Sequence, residues 1–124
     1  MFINKDSIKI NGISIGQYLL SAKYEYNKLW GSDAGRNLAG KFTGTLVGIF
    51  PKVILTFRKL TKEEMNIIAP ILDSANQTLT YYDPTTNTNK TLNTYTGDWS
   101  YENHKITTKN ESFECSFISR ERRT

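Results

Sequence analysis

Residues 33–44 read DAGRNLAGKFTG. From Gly35 the run spells Gly-Arg-Asn-Leu-Ala-Gly-Lys-Phe, one position from the phosphate-loop pattern G-x-x-x-x-G-K-[ST]. The reading decides the fold. A phosphate loop needs strand, loop, then helix, because the phosphates sit on a helix N-terminus, and that unit belongs to an α/β protein. Here the glycines run into KFTGTLVGI, residues 41–49, which has strand character. Phe42 stands where a hydroxyl would ligate magnesium, and Thr43 is one residue out of register. No apolar strand ends in an Asp that would serve as the metal-binding partner. The stretch is therefore a connection between strands: Gly35 and Gly40 let the chain turn, and Arg36 and Lys41 offer exposed contacts.

On its N-terminal side, QYLLSAKYEYNKLW (residues 17–30) alternates with period two. Tyr18, Leu20, Ala22, Tyr24 and Tyr26 share one face, and Ser21, Lys23, Glu25 and Asn27 the other, which predicts a long strand with one wet side. Further upstream, Ile8 and Ile10, then Asn11-Gly12, then Ile13 and Ile15 predict a tight hairpin, because both turn residues accept positive φ. On the C-terminal side, KFTGTLVGI and KVILTFRKL predict two strands split at Phe50-Pro51, making a long hairpin over residues 42–60 with Pro51 outside the ladder. Val53, Leu55 and Phe57 face one way; Lys52, Thr56 and Arg58 the other. Gly44 and Gly48 fall on the Phe42 face, where missing side chains mark bending or close approach of another backbone.

At residue 60 the period changes. LTKEEMNIIAPILDSA (residues 60–75) predicts the one helix. Thr61 caps it, Glu64 completes a capping box, and Leu60 with Met65 forms a hydrophobic staple. Glu63 and Glu64 complement the dipole. Met65, Ile68 and Leu72 form a stripe that packs on a sheet, and Pro70 is expected to kink or split the helix at about 3 kcal/mol. Then QTLTYYDPTTNTNKTLNTYTGDW predicts strand, turn, strand, with Asp83-Pro84 opening the turn. WSYENHKITT (residues 99–108) and ESFECSFIS (residues 111–119) predict two more strands. In the last, Phe113, Cys115 and Phe117 face the core. About four strands, one helix and about four strands predict a mainly β fold, a β-sandwich or barrel flanked by a single helix.

Composition agrees. The chain of 124 residues, 38% hydrophobic and 23% charged, reads as a single domain, 1–124, with residues 120–124 a basic tail. A net charge of +4 tolerates nucleic acid nearby without demanding it. Arg120, Arg122 and Arg123 read most simply as a frayed, solvated end. MFINKDSIKING is too polar for a signal peptide and no stretch spans a membrane, so synthesis in the cytoplasm is expected and the sequons at Asn76, Asn89 and Asn110 carry little meaning.

Catalytic constellations are absent from the pattern. His104 is the only histidine and Cys115 the only cysteine, which leaves no multi-histidine metal site and no disulfide. Cys115 between inward phenylalanines is a small core residue and a poor nucleophile. Asp83, Asp98 and Glu102 sit beside turn signals, Asp83 as a turn former. No catalytic residue, cofactor or metal is expected. A β-rich module for single-stranded nucleic acid is the alternative from another class, with Tyr24, Tyr26 and Trp30 near Lys23 and Lys28. Lys23 alternates away from the tyrosines, so they make no mixed patch.

Four phrases in order, DAGRNLAGKFTG, LTKEEMNIIAPIL, LTYYDPTTN and LNTYTGDWSY, resemble a family of small tail proteins of phages of Gram-positive bacteria. The matching positions are Gly35 and Gly40; Leu60, Thr61, Glu63 and Glu64; Tyr82, Asp83 and Pro84; and Tyr95, Gly97 and Asp98, covering roughly residues 30 to 100. Each phrase alone is capping or turn chemistry; their order and spacing carry the likeness. The resemblance implies a virion structural protein of a tail or tail-like bacteriocin. It implies a tail-tube or distal-tail fold assembled as a homo-oligomeric ring, commonly sixfold, with other tail or baseplate proteins as partners. DNA would meet it only in transit, and no membrane is involved. A neck or baseplate adaptor is the alternative within the class. Subunit-interface candidates are Arg36, Lys41, Phe42, Thr43, Thr45, Phe50 and Arg58. Arg58, Lys59 and the arginine tail are not expected to dominate a lumen that must let DNA pass, because each phosphate contact adds affinity.

Overall fold

The computed structural model describes residues 7–32, 35–36, 38–103 and 111–122. His104, Arg123, the Asn110 sequon and residues 104–108 of the predicted strand lie outside them. The protein is mainly β with a single helix. Its strands are β1 (Lys9–Ile10), β2 (Ile13–Ser14), β3 (Leu19–Trp30), β4 (Gly35–Arg36), β5 (Phe42–Thr43) and β6 (Leu46–Phe57). Helix α1 (Lys62–Asp73) follows, then β7 (Gln77–Asp83), β8 (Thr88–Thr96) and β9 (Phe113–Ser119). Seven strands form one antiparallel sheet in the order β2-β1-β7-β8-β9-β6-β3, and β4 pairs with β5 apart from it.

The Asn11-Gly12 hairpin forms as its residues dictate, with φ of 53° and 81° and Ile10 opposite Ile13. Asn87, at φ 55°, closes the β7–β8 turn, where Asp83 pairs with Thr88. Val53, Leu55 and Phe57 are buried on one face of β6, beside Phe113, Cys115 and Phe117 of β9. Phe57 stacks on its partner Phe113 with ring centroids 5.0 Å apart. Ile68, Ile71 and Leu72 of the helix join this core, as do Leu79 and Tyr81 of β7.

The sheet curls on itself. β3 and β7 are separated by three strands, which in a flat sheet puts them about 19 Å apart. Yet Tyr24 of β3 stacks on Tyr81 of β7 with centroids 5.2 Å apart, and the Tyr26 hydroxyl donates to Asp83 Oδ1 at 3.2 Å. Both faces of the core thus come from a single sheet, and the helix flanks it.

Several expectations are corrected. Residues 42–60 do not make a hairpin: β6 runs as one 12-residue strand straight through Phe50-Pro51. Its hairpin partner is β3, in register from Leu19↔Phe57 to Trp30↔Leu46. Pro51 is tolerated because it lies beyond the β9 ladder, which reaches only Lys52↔Ile118, so the missing N–H interrupts little. Leu20 is not on the tyrosine face. The register shifts between Leu19 and Ser21, and this bulge turns Leu20 outward to 65% exposure. Residues 97–102 form no strand. Gly35 lies in β4 rather than in a turn; Gly40, at φ 81°, supplies the turn.

The helix is not split or ended at Pro70: it continues to Asp73. Pro70 is exposed, so the carbonyl it leaves free can meet water. The last carbonyls are collected by the body. Ser74 Oγ donates to Pro70 O at 2.9 Å, Gln77 Nε2 to Ile71 O at 3.1 Å, and Thr96 Oγ1 to Leu72 O at 3.0 Å.

Candidate assembly surface

The β3–β6 hairpin outruns the sheet that carries it. β9 accompanies β6 only from Lys52 to Phe57, so among the described residues β3 is the one ladder partner of residues 46–51 of β6. β3 is itself the last strand of the sheet. Among the described residues the far half of the hairpin therefore has an open ladder on both sides, an arrangement that a solitary chain usually blunts. Apolar residues are exposed along it: Leu29, Trp30, Leu46 and Val47, with Phe42 beyond. Val47 is extra in the register between Leu29↔Gly48 and Trp30↔Leu46, so a bulge bends the tip.

At the tip, β4 and β5 form a small ribbon from the stretch that resembled a phosphate loop. Arg36 pairs with Phe42, Gly35 with Thr43, and Phe42 packs edge-on against Trp30 at 4.8 Å. The Arg36 guanidinium donates to Gly40 O at 2.9 Å, and Gly31 N–H to Thr45 O at 2.7 Å. Leu38 is fully exposed. Of the interface candidates, Arg36, Lys41, Phe42, Thr43 and Thr45 come together here, and all five are exposed. Phe50 lies lower on β6. Cross-strand partners share a face, so it stands with Asn27 and Leu29 on the side away from the core. There a groove of about 410 Å³ is lined by Leu29, Phe50, Tyr95 and Ile118, with Lys28 and Arg120.

Arg58 sits at the opposite end of β6 and is tied into the body. It donates to Gln17 O at 2.9 Å, to Lys59 O at 2.8 Å and to both Glu64 oxygens, and its guanidinium lies 5.6 Å from the Tyr18 ring centre. Thr61 and Glu64 form the expected capping box, with Thr61 N–H donating to Glu64 Oε1 at 2.9 Å and Glu64 N–H to Thr61 Oγ1 at 3.3 Å. The Arg58 bond, then the Thr61 backbone bond, hold the Glu64 carboxyl down to about 2. Lys59 is 3.5 Å from Glu111.

Asp83 does more than open a turn. Its buried Oδ1 accepts from Thr85 N–H at 2.9 Å, from the Thr85 hydroxyl at 2.6 Å, and from Tyr26. Burial alone would raise this carboxyl, but those bonds outweigh it and hold it below its ordinary value. Burial pushes the Cys115 thiol up to about 11, away from nucleophilic chemistry. Among the described residues, no cluster of three His, Cys, Asp or Glu could hold a metal.

Residues 120 and 122 of the tail rest against the body. Arg120 N–H donates to Asn93 O at 2.8 Å, and its side chain reaches Ala75 O at 2.6 Å with its charge 5.1 Å from the Tyr95 ring centre. Arg122 donates to Val47 O at 3.2 Å. Sequence reasoning missed Leu29, Leu46, Val47, Tyr95 and Arg122 as members of this surface. Two adjacent apolar residues, Leu46-Val47, were one available signal, since alternation must expose one of them.

No family model matches this chain, and no curated protein matches it. Its fold is similar to that of a chain in the virion of a native gene transfer agent particle. The TM-score is 0.61 at 12% identity, over 95% of this chain and 94% of that one.

Proposed function

We propose that this chain is a non-enzymatic structural protein of a virion, a part of a phage tail or tail-like bacteriocin. Copies join into a ring of the tail tube or tube–baseplate region around the DNA channel. The observation that carries this is the hairpin with an open ladder on each side, β3 on one and residues 46–51 of β6 on the other. When the β3 edge of one copy pairs with the β6 edge of the next, the contact is head-to-tail, and such contacts form a ring when the rotation between copies closes. Exposed Leu29, Trp30, Leu46 and Val47 are then covered by neighbours. The likeness over almost the whole chain to a component of a gene transfer agent virion supports the same reading.

The charges fit a conduit rather than a DNA clamp. Arg58, Lys59, Arg120 and Arg122 are all held by partners on their own chain. The tyrosines that a strand-binding module would stack on bases are used internally, Tyr24 on Tyr81 and Tyr26 on Asp83. A neck or baseplate adaptor uses the same two edges in another ring.

Purified protein at rising concentration, followed by light scattering and negative-stain microscopy, should give rings or tubes. Replacing Arg36 and Lys41 together with Ala should weaken assembly several-fold and leave thermal unfolding of the monomer unchanged. A strict monomer that binds oligonucleotides with a steep salt dependence would sink the proposal.

A further inference from the structure

The open β6 ladder is not empty in the single chain. Carried on from Lys52↔Ile118, the β6–β9 register sets Pro51 opposite Ser119 and Gly48 opposite Arg122. Pro51 has no N–H to give, and the ladder stops there. The chain nevertheless keeps that course. Ser119 Oγ donates to Glu121 O at 2.7 Å, Asn93 Nδ2 lies 3.4 Å from Glu121 Oε1, and Arg122 arrives beside Gly48. A Cβ placed on Gly48 would stand 2.8 Å from Arg122 Cβ, so the approach depends on glycine. There the guanidinium satisfies Val47 O, a carbonyl in the bulge. Of these contacts the Arg122 bond is the one that reaches β6, a side-chain bond in a place where a strand would make backbone bonds.

We infer that residues 120–122 act as a removable plug: they hold the β6 edge of the isolated chain, and the β3 edge of a second copy must displace them to pair there. The inference rests on the ring reading proposed above and adds its control. The plug is weak by construction. Pro51 denies it a continuous ladder, and one side-chain bond near the surface closes its far end. An incoming strand makes several backbone bonds on the same edge and buries Leu46 and Val47 as well. The isolated chain is thereby kept from uncontrolled edge-to-edge association.

A reversible lock tests this. Gly48→Cys with Arg122→Cys places two thiols where a disulfide needs only a small retreat of the tail, since bridged Cβ atoms lie about 3.8 Å apart. Buried Cys115 does not compete. The oxidised variant should remain monomeric at concentrations where the wild type assembles, and reduction should restore assembly. A chain ending at Arg120 should assemble at about threefold to tenfold lower concentration, the scale of one lost hydrogen bond. If the oxidised lock and the wild type assemble alike, the plug is wrong while the ring reading stands. If neither the wild type nor the shortened chain assembles at any concentration, the ring reading falls and the plug with it.

Discussion

At the scale of single residues, Glu64 carries two duties on one carboxylate. It closes the helix cap on Thr61 and holds Arg58, which in turn grips Gln17 and covers Tyr18. Its folded-state value of about 2 lies below the ordinary 4.5, so its contribution is whole above about pH 4.5 and is lost as pH falls toward 2. Glutamine keeps the capping bond and removes the charge. Glu64→Gln should therefore cost about 0.5 to 1 kcal/mol near neutrality, a modest figure because both side chains are partly exposed. It should also flatten the acid limb of stability between pH 4.5 and 2. Urea unfolding at a series of pH values reads this directly; parallel losses in variant and wild type would assign the acid limb elsewhere.

At the scale of elements, the two prolines show how context sets a cost. Pro51 sits where β6 has left β9, and Pro70 sits on the exposed side of α1 near its C-terminal end. Neither breaks its element: Pro51 lies past the end of the β9 ladder, while Pro70 forfeits one helical backbone bond. In α1 that loss is recoverable. Pro70→Ala restores a donor toward the carbonyl one turn earlier and removes a ring clash, offset in part by a more flexible unfolded chain. It should stabilise the protein by about 1 to 2 kcal/mol and raise Tm by at least about 3 °C, read by calorimetry. An unchanged or lower Tm would mean that the helix end is already relaxed around proline.

At the scale of the whole molecule, closure of the curled sheet depends on a few contacts between its distant strands. Tyr24 on Tyr81 and Tyr26 on Asp83 tie β3 across to β7, and burial, then Tyr26 and Asp83 nearby, raise the Tyr24 phenol. Tyr24→Ala and Tyr81→Ala, alone and together, should show a coupling of about 0.5 to 1.5 kcal/mol in a double-mutant cycle of denaturant unfolding. Tyr26→Phe should cost about 1 kcal/mol by taking a donor from a buried carboxylate. Additive tyrosine effects would mean that the curl is held by the core alone.

Much of this molecule follows from local rules acting on neighbours in the chain. The Asn11-Gly12 turn, the Thr61–Glu64 cap, the Asp83 turn and the inward Phe113-Cys115-Phe117 row each depend on residues within a few positions, where φ preference, capping and alternation operate. The same rules excluded a phosphate loop and left a mainly β chain with one helix. They failed where the deciding partner is remote. Phe50-Pro51 looked like a strand end because nothing nearby reveals that the β9 ladder on β6 stops at Lys52. Leu20 looked buried because a one-residue bulge reverses alternation without a sequence mark. Gly48 signalled a close approach, but only the fold identifies Arg122 as what approaches. Short-range sterics and hydrogen bonding thus determined the elements. Strand pairing between distant segments decided which edges stayed open, and with them the surface on which assembly depends.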